Sequence, residues 1–155
     1  MLHRLYREQQ LNCTIESVWN FFSSHDHFSE ATPEVMNFLV VSGILDRPVF
    51  KGMEIEYRAF SFLGSPIKWE MMISQVEDYK SFTGFQKKGP YKYWNHFHEF
   101  IPNDKGVLMK DTVDYELPLG IIGRIAHRLF IKKKLESIFD LRSGVLNALF
   151  NNNDY

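Results

Sequence analysis

Two histidines stand two residues apart in Tyr93-Trp94-Asn95-His96-Phe97-His98-Glu99-Phe100. On an extended strand that spacing puts both imidazoles on one face, about 6.5–7 Å apart along the chain. Three chemistries use such a pair. Metal ligation needs three or four ligands, to which the pair would contribute two. General acid–base catalysis needs a carboxylate that sets the tautomer and pKa of the base. Ligand recognition needs a few polar groups in an otherwise apolar pocket. The acid that would complete any of these is Asp111. It lies on the face of 107–117 that carries Val107, Met109, Val113, Tyr115 and Leu117. A hairpin turning around Asp104 sets Asp111 across from His96 or His98, with cross-strand Cβ atoms about 4.5–5.5 Å apart. A buried aspartate requires such a partner, because an unpaired one is costly or takes up a proton.

The residues around the pair weigh differently on the three chemistries. Neither a cysteine cluster nor an H-E-x-x-H motif accompanies the histidines, so no metal and no cofactor is expected. No nucleophile with a recognisable motif stands beside them, which leaves His96, His98 and Asp111 as the catalytic candidates. The third reading asks for nothing extra: a hydrogen-bonded cluster in a cavity walled by Tyr57, Trp69, Met71, Trp94, Met109, Val113 and Tyr115. The same side chains make an ordinary core, because pocket wall and core share one face of a sheet. Other groupings are weaker. His25-Asp26-His27 has metal-like spacing in an apparent surface loop. Lys132-Lys133-Lys134, with Arg124, His127 and Arg128, reads as a solvated helix face, with contact to a membrane surface or nucleic acid as the lesser alternative. Phe60, Phe62 and Leu63 would cap a cavity mouth or form a homodimer contact, with simple packing an equal alternative.

The elements that must position these groups follow from periodicity. Residues 3–11 read as a strand, and Thr14 as the N-cap of a helix running to about Ser24. Strands are expected at 35–43, 53–62, 67–77, 81–86, 93–100 and 107–117, with turns at 63–66 and 102–106. Met53, Ile55, Tyr57 and Ala59 share one face, as do Ile67, Trp69, Met71 and Ile73. For the histidine strand, Asn95 and Glu99 suit solvent better, so Trp94, His96, His98 and Phe100 point inward. After "PLGIIG" (118–123), a helix from about Ile121 to Phe150 carries an apolar stripe: Ile122, Ile125, Leu129, Leu135, Ile138, Phe139, Val145, Leu146 and Leu149. At 1.5 Å per residue it is about 45 Å long, enough to lie across a sheet. Strand, helix, meander and long helix make an α+β fold: a curved antiparallel sheet of six to seven strands gripping the helix, with a cavity between.

Size and charge bound the rest. The 155 residues fit one domain, read as 1–150 with a frayed end at 151–155. The 14 phenylalanines fill a thick core or line a cavity. A net charge of −1 gives no general pull toward nucleic acid or an anionic membrane. One cysteine, Cys13, cannot form an internal disulfide, and the N-terminus lacks a signal-peptide run. A cytoplasmic location without stable membrane insertion is expected.

The segments "SVWNFFSS", "GPYKYWNHFHEF", "MKDTVDYELPLGIIGRIAHRL" and "LESIFDLRSGVL" resemble the START-type helix-grip (SRPBCC) superfamily. Within it they are similar to bacterial ligand-binding proteins of the polyketide cyclase/dehydrase-like group. The likeness covers nearly the whole chain. Gly84 and Phe85 stand where that pattern carries an acidic residue in its fifth strand. The resemblance implies a mainly apolar cavity that takes a small hydrophobic or aromatic ligand such as a lipid or polyketide. It also leaves open a cyclase, aromatase or hydrolase reaction using a His–Asp base. On the ligand-binding reading, access lies between the 63–66 turn and "PLGIIG", where Gly120 and Gly123 act as hinges.

Overall fold

The computed structural model describes residues 1–24, 39–42, 48–60 and 66–152. Strand β1 (His3–Leu11) leads into helix α1 (Ile15–Ser23). Strands β2 (Leu39–Ser42), β3 (Glu54–Phe60), β4 (Pro66–Glu77), β5 (Ser81–Lys88), β6 (Tyr93–Asn103) and β7 (Gly106–Glu116) follow. The chain ends in a helical run: α2 (Gly120–Ala126), a π-helical turn (His127–Ile131) and α3 (Lys132–Phe150). The seven strands form one curved, unclosed sheet in the order β1-β7-β6-β5-β4-β3-β2. Each neighbouring pair is antiparallel. This is the expected α+β architecture.

Alternation sets the inner face. Along β7, Val107, Met109, Asp111, Val113 and Tyr115 are buried while the residues between them are half-buried. Along β6, Trp94, His96, His98 and Phe100 are buried. The β6–β7 hairpin turns at Asn103–Gly106 and pairs His98 with Asp111. Gly106 (φ +119°) is required there, because a Cβ would lie 2.3 Å from the Leu11 carbonyl oxygen. Helix α1 begins as its sequence demands, with the Thr14 hydroxyl accepting from the Ser17 amide at 3.2 Å. It lays Trp19 edge-on against Phe82 and Phe100, closing one end of the sheet's inner face.

The C-terminal helix departs from its expected face. The buried row of α3 is Leu135, Phe139, Arg142 and Leu146, at i, i+4, i+7 and i+11. Ile122, Ile125, Leu129 and Leu149, counted with the apolar stripe, are exposed. The π-helical turn at His127–Ile131 stands between Ile122 and Ile125 and the row of α3, takes in Leu129, and offsets the upstream row from that of Leu135. The apparent broad stripe is thus two stripes, and only the second meets the sheet. Gly123, expected as a hinge, is buried, and a Cβ on it would fall 2.2 Å from the Pro118 carbonyl oxygen. Asn151, counted with the tail, ties the end of α3 to β1: its side chain donates to the Gln10 carbonyl at 2.9 Å and accepts from the Asn12 amide at 2.8 Å. The His25-Asp26-His27 motif, Phe62, Leu63 and most of the 63–66 turn lie outside the described residues, as does the side chain of Phe60. Among the described residues no helix is long and apolar enough to cross a membrane.

Candidate functional site

The site is built where β6, β7 and α3 meet. The hairpin register puts His98 directly opposite Asp111, and strand periodicity brings His96 to the same face. His96 Nε2 lies 2.8 Å from Asp111 Oδ1. His98 Nδ1 lies 2.7 Å from the same oxygen, in polar contact although its N–H is not aligned for a hydrogen bond. The two imidazoles are in ring contact, with centroids 3.8 Å apart. His98 also stacks on Phe82 at 4.4 Å, and His96 meets the Phe139 ring at 5.6 Å. Asp111, His98 and His96 are all buried, Asp111 and His98 to 2 % exposure.

The other oxygen of Asp111 faces a cation that the sequence reading did not name. Arg142 Nη1 lies 3.9 Å from Asp111 Oδ2. Its guanidinium sits between two rings, 5.1 Å from the centroid of Phe22 and 5.8 Å from that of Phe139. The signal was present: Arg142 completes the row of Leu135, Phe139 and Leu146, and a basic residue in such a row needs a buried acid opposite. From the other side Arg7 of β1 pairs in register with Asp111 and reaches Asp140 of α3 at 3.4 Å. A cavity of about 60 Å³ lies here, lined among others by Arg7, Met109, Asp111, Phe139 and Arg142. That volume holds a water or a small polar group.

The protonation states follow from burial and charge. Burial alone would raise the Asp111 pKa, but Arg142 and the two histidines outweigh it and hold the carboxyl well below its ordinary value. Burial lowers both histidines, more than Asp111 raises them; His98 is pushed down to about 3. At neutral pH the cluster is therefore carboxylate, guanidinium and two neutral imidazoles, with no net charge. The hydrogen bond to Asp111 Oδ1 places the proton of His96 on Nε2. Its other ring nitrogen, Nδ1, is then an acceptor.

His96, His98 and Asp111 also have the composition of a metal site, with their ligand atoms within 4.8 Å of one another. The carboxylate contacts of 2.7–2.8 Å are hydrogen-bond lengths. The charge beside Asp111 is that of Arg142, where a dication would meet repulsion.

The expected wall residues are placed on the inner face. Tyr57, Trp69, Trp94, Met109, Val113 and Tyr115 are buried, and Met71 is half-buried. Tyr57 pairs with Trp69 in register. Trp69 meets Trp94 edge-on at 5.3 Å, and Trp94 lies 6.1 Å from Tyr115. Tyr91, unnamed in the sequence reading, ties this group together at 4.6 Å from Trp94, 5.7 Å from Trp69 and 6.0 Å from Tyr115. It precedes β6, outside the alternation that reveals its neighbours. A second cavity, of about 200 Å³, opens beside this group and is lined by Met1, His3, Lys92, Glu116, Leu117, Gly120, Ile121 and Gly123.

No family's sequence profile and no curated protein matches the chain. Solved structures do, and they share the helix-grip fold. A Chromobacterium violaceum protein superposes with a TM-score of 0.71 at 12% identity, covering 97% of this chain and 99% of that one. A Thermus thermophilus protein gives a TM-score of 0.65 at 19% identity, covering 96% and 99%. Norcoclaurine synthase from Thalictrum flavum, in complex with dopamine and hydroxybenzaldehyde, gives 0.64 at 12% identity, covering 94% and 87%. At these identities the likeness fixes the fold alone: this chain has the helix-grip fold.

Proposed function

We propose that the chain is a binding protein for a small, mostly aromatic or apolar molecule that carries one or two hydrogen-bond donors. The molecule sits between the sheet and α3, against Tyr57, Trp69, Met71, Trp94, Met109, Val113 and Tyr115, with His96, His98 and Asp111 at its polar end, where the cavity of about 60 Å³ takes only its polar group. The observation that carries this is the buried His96–Asp111–His98 contact set, balanced by Arg142. Apolar residues of similar volume would stabilise a core as well as a buried ion pair does, or better. A cluster kept at that cost, beside an aromatic wall, is a candidate for recognition. With the His96 proton directed at Asp111, its Nδ1 lone pair calls for a donor such as a phenol or amide. Norcoclaurine synthase, which shares the fold, is crystallised with two small aromatic molecules, which supports an aromatic ligand class. A histidine with a pKa of about 3 is a weak base near neutral pH, which favours binding over general-base turnover.

The test begins with native mass spectrometry of freshly purified protein and identification of any bound molecule. Titration then compares 4-hydroxybenzaldehyde with its methyl ether by quenching of tryptophan fluorescence. The hydroxyl compound is expected to bind about tenfold or more tightly, the value of a buried hydrogen bond left unmade. His96→Ala or His98→Ala should erase the difference while circular dichroism is unchanged. Equal binding of both compounds, no binding by either, or collapse of the fold in both variants would sink the reading. Product formation in the same incubations would mark a cyclase-like or aromatase-like enzyme instead.

A further inference from the structure

A large apolar surface lies outside the site. Leu119, Ile121, Ile122, Ile125, Leu129 and Phe130 are 55–74 % exposed, all within the turn, α2 and the π-helical segment. Ile122, Ile125 and Leu129 of the outward stripe are three of them, and none belongs to the row that α3 buries. Exposed side chains this large and this closely grouped mark a contact surface. The patch is continuous with the 200 Å³ cavity, whose lining includes Ile121 and the exposed Met1.

Charge decides what covers it. Residues 119–136 hold Arg124, Arg128, Lys132, Lys133 and Lys134 against one acid, Glu136. Arg128, Lys133 and Lys134 are exposed, as is Lys132, which approaches Glu136 at 4.0 Å. A second copy docked by two-fold symmetry would bring these cations against their own counterparts. An anionic bilayer instead meets the apolar side chains with its acyl boundary and the cations with its headgroups. We infer that the 119–134 segment is a peripheral docking surface for anionic membranes, lying in the interface without crossing it. The mouth of the 200 Å³ cavity then faces the bilayer. This inference stands independently of the aromatic-ligand reading, because it uses none of the site residues.

Vesicle flotation tests it, with phosphatidylcholine alone and with phosphatidylcholine containing 30 % phosphatidylglycerol, at about 50 and 500 mM salt. Binding is expected on the anionic vesicles at low salt, and at least tenfold weaker on neutral vesicles or at high salt. Ile122→Ser with Phe130→Ser should reduce binding tenfold or more, and Lys133→Glu with Lys134→Glu by a similar factor. All four residues are exposed, so thermal unfolding should be unchanged. Absence of binding to anionic vesicles, or binding indifferent to both double variants, overturns the inference. A dimer in analytical ultracentrifugation that Ile122→Ser with Phe130→Ser dissociates would assign the face to a second copy instead.

Discussion

Asp111 on β7 and Arg142 on α3 face one another across the space between sheet and helix, Oδ2 to Nη1 at 3.9 Å, both buried. The same carboxylate holds two histidines on its other oxygen. One aspartate thus couples the position of the helix to the orientation of the imidazoles.

Removing one side of that pair leaves the other buried without its countercharge. Arg142→Met should destabilise the fold by about 3–5 kcal/mol. Asp111→Asn with Arg142→Met should recover much of the loss, since neither buried charge remains. Urea unfolding of both single variants and the double variant at neutral pH measures the coupling. Strict additivity of the two losses would show that the residues do not interact.

Acidification should weaken the fold from the histidine range downward. In the unfolded chain a histidine takes up its proton near pH 6.5, whereas folded His98 does so only near 3 and folded His96 below its ordinary value. Between those values the unfolded state binds more protons, so stability falls as pH falls, by about 1.4 kcal/mol per pH unit for each fully neutral histidine. Asp111 acts in the same direction lower down, because its folded pKa is depressed and the unfolded carboxyl protonates first. Urea midpoints at pH 7, 6, 5 and 4 should drop steadily, and His98→Phe should flatten the upper part of the curve. A wild-type midpoint constant from pH 7 to 5 would contradict buried neutral histidines.

Much of this arrangement is legible in the sequence because strands announce their faces. The alternation of Val107, Met109, Val113 and Tyr115 forces Asp111 inward, and the Asn103–Gly106 turn then fixes its opposition to His98. Helix α3 is less transparent. Arg142 stands in the row of Leu135, Phe139 and Leu146, but a lone cation there reads as a surface charge until the buried Asp111 is set opposite it. Ile122, Ile125 and Leu129 extend the apolar pattern but are exposed, so surface side chains read as core. Tyr91 precedes its strand and joins the aromatic group through ring contacts between segments, which no periodicity encodes.

The Asp111 carboxylate sets the His96 tautomer. Long-range nitrogen–proton correlation spectra should show His96 protonated at Nε2, with both imidazoles neutral at pH 6. Asp111→Asn removes the charge that raises both pKa values. Their protonation should then move to still lower pH, provided the variant keeps its fold by circular dichroism. Either imidazole titrating near 6.5 in the wild type would place it in water rather than in the cluster.

The two faces of the C-terminal helical run should respond oppositely to truncation. Leu146 is fully buried in the α3 row, and Leu146→Ala should cost about 2–5 kcal/mol through lost burial and the cavity left behind. Ile122 has the same apolar character but stands on the outward stripe, so Ile122→Ser should fall within about 0.5 kcal/mol of wild type. Urea unfolding resolves a difference of that size easily. If Ile122→Ser cost as much as Leu146→Ala, the outward stripe would be packed against protein in solution. A concentration-dependent unfolding midpoint would then identify that protein as a second copy of the chain.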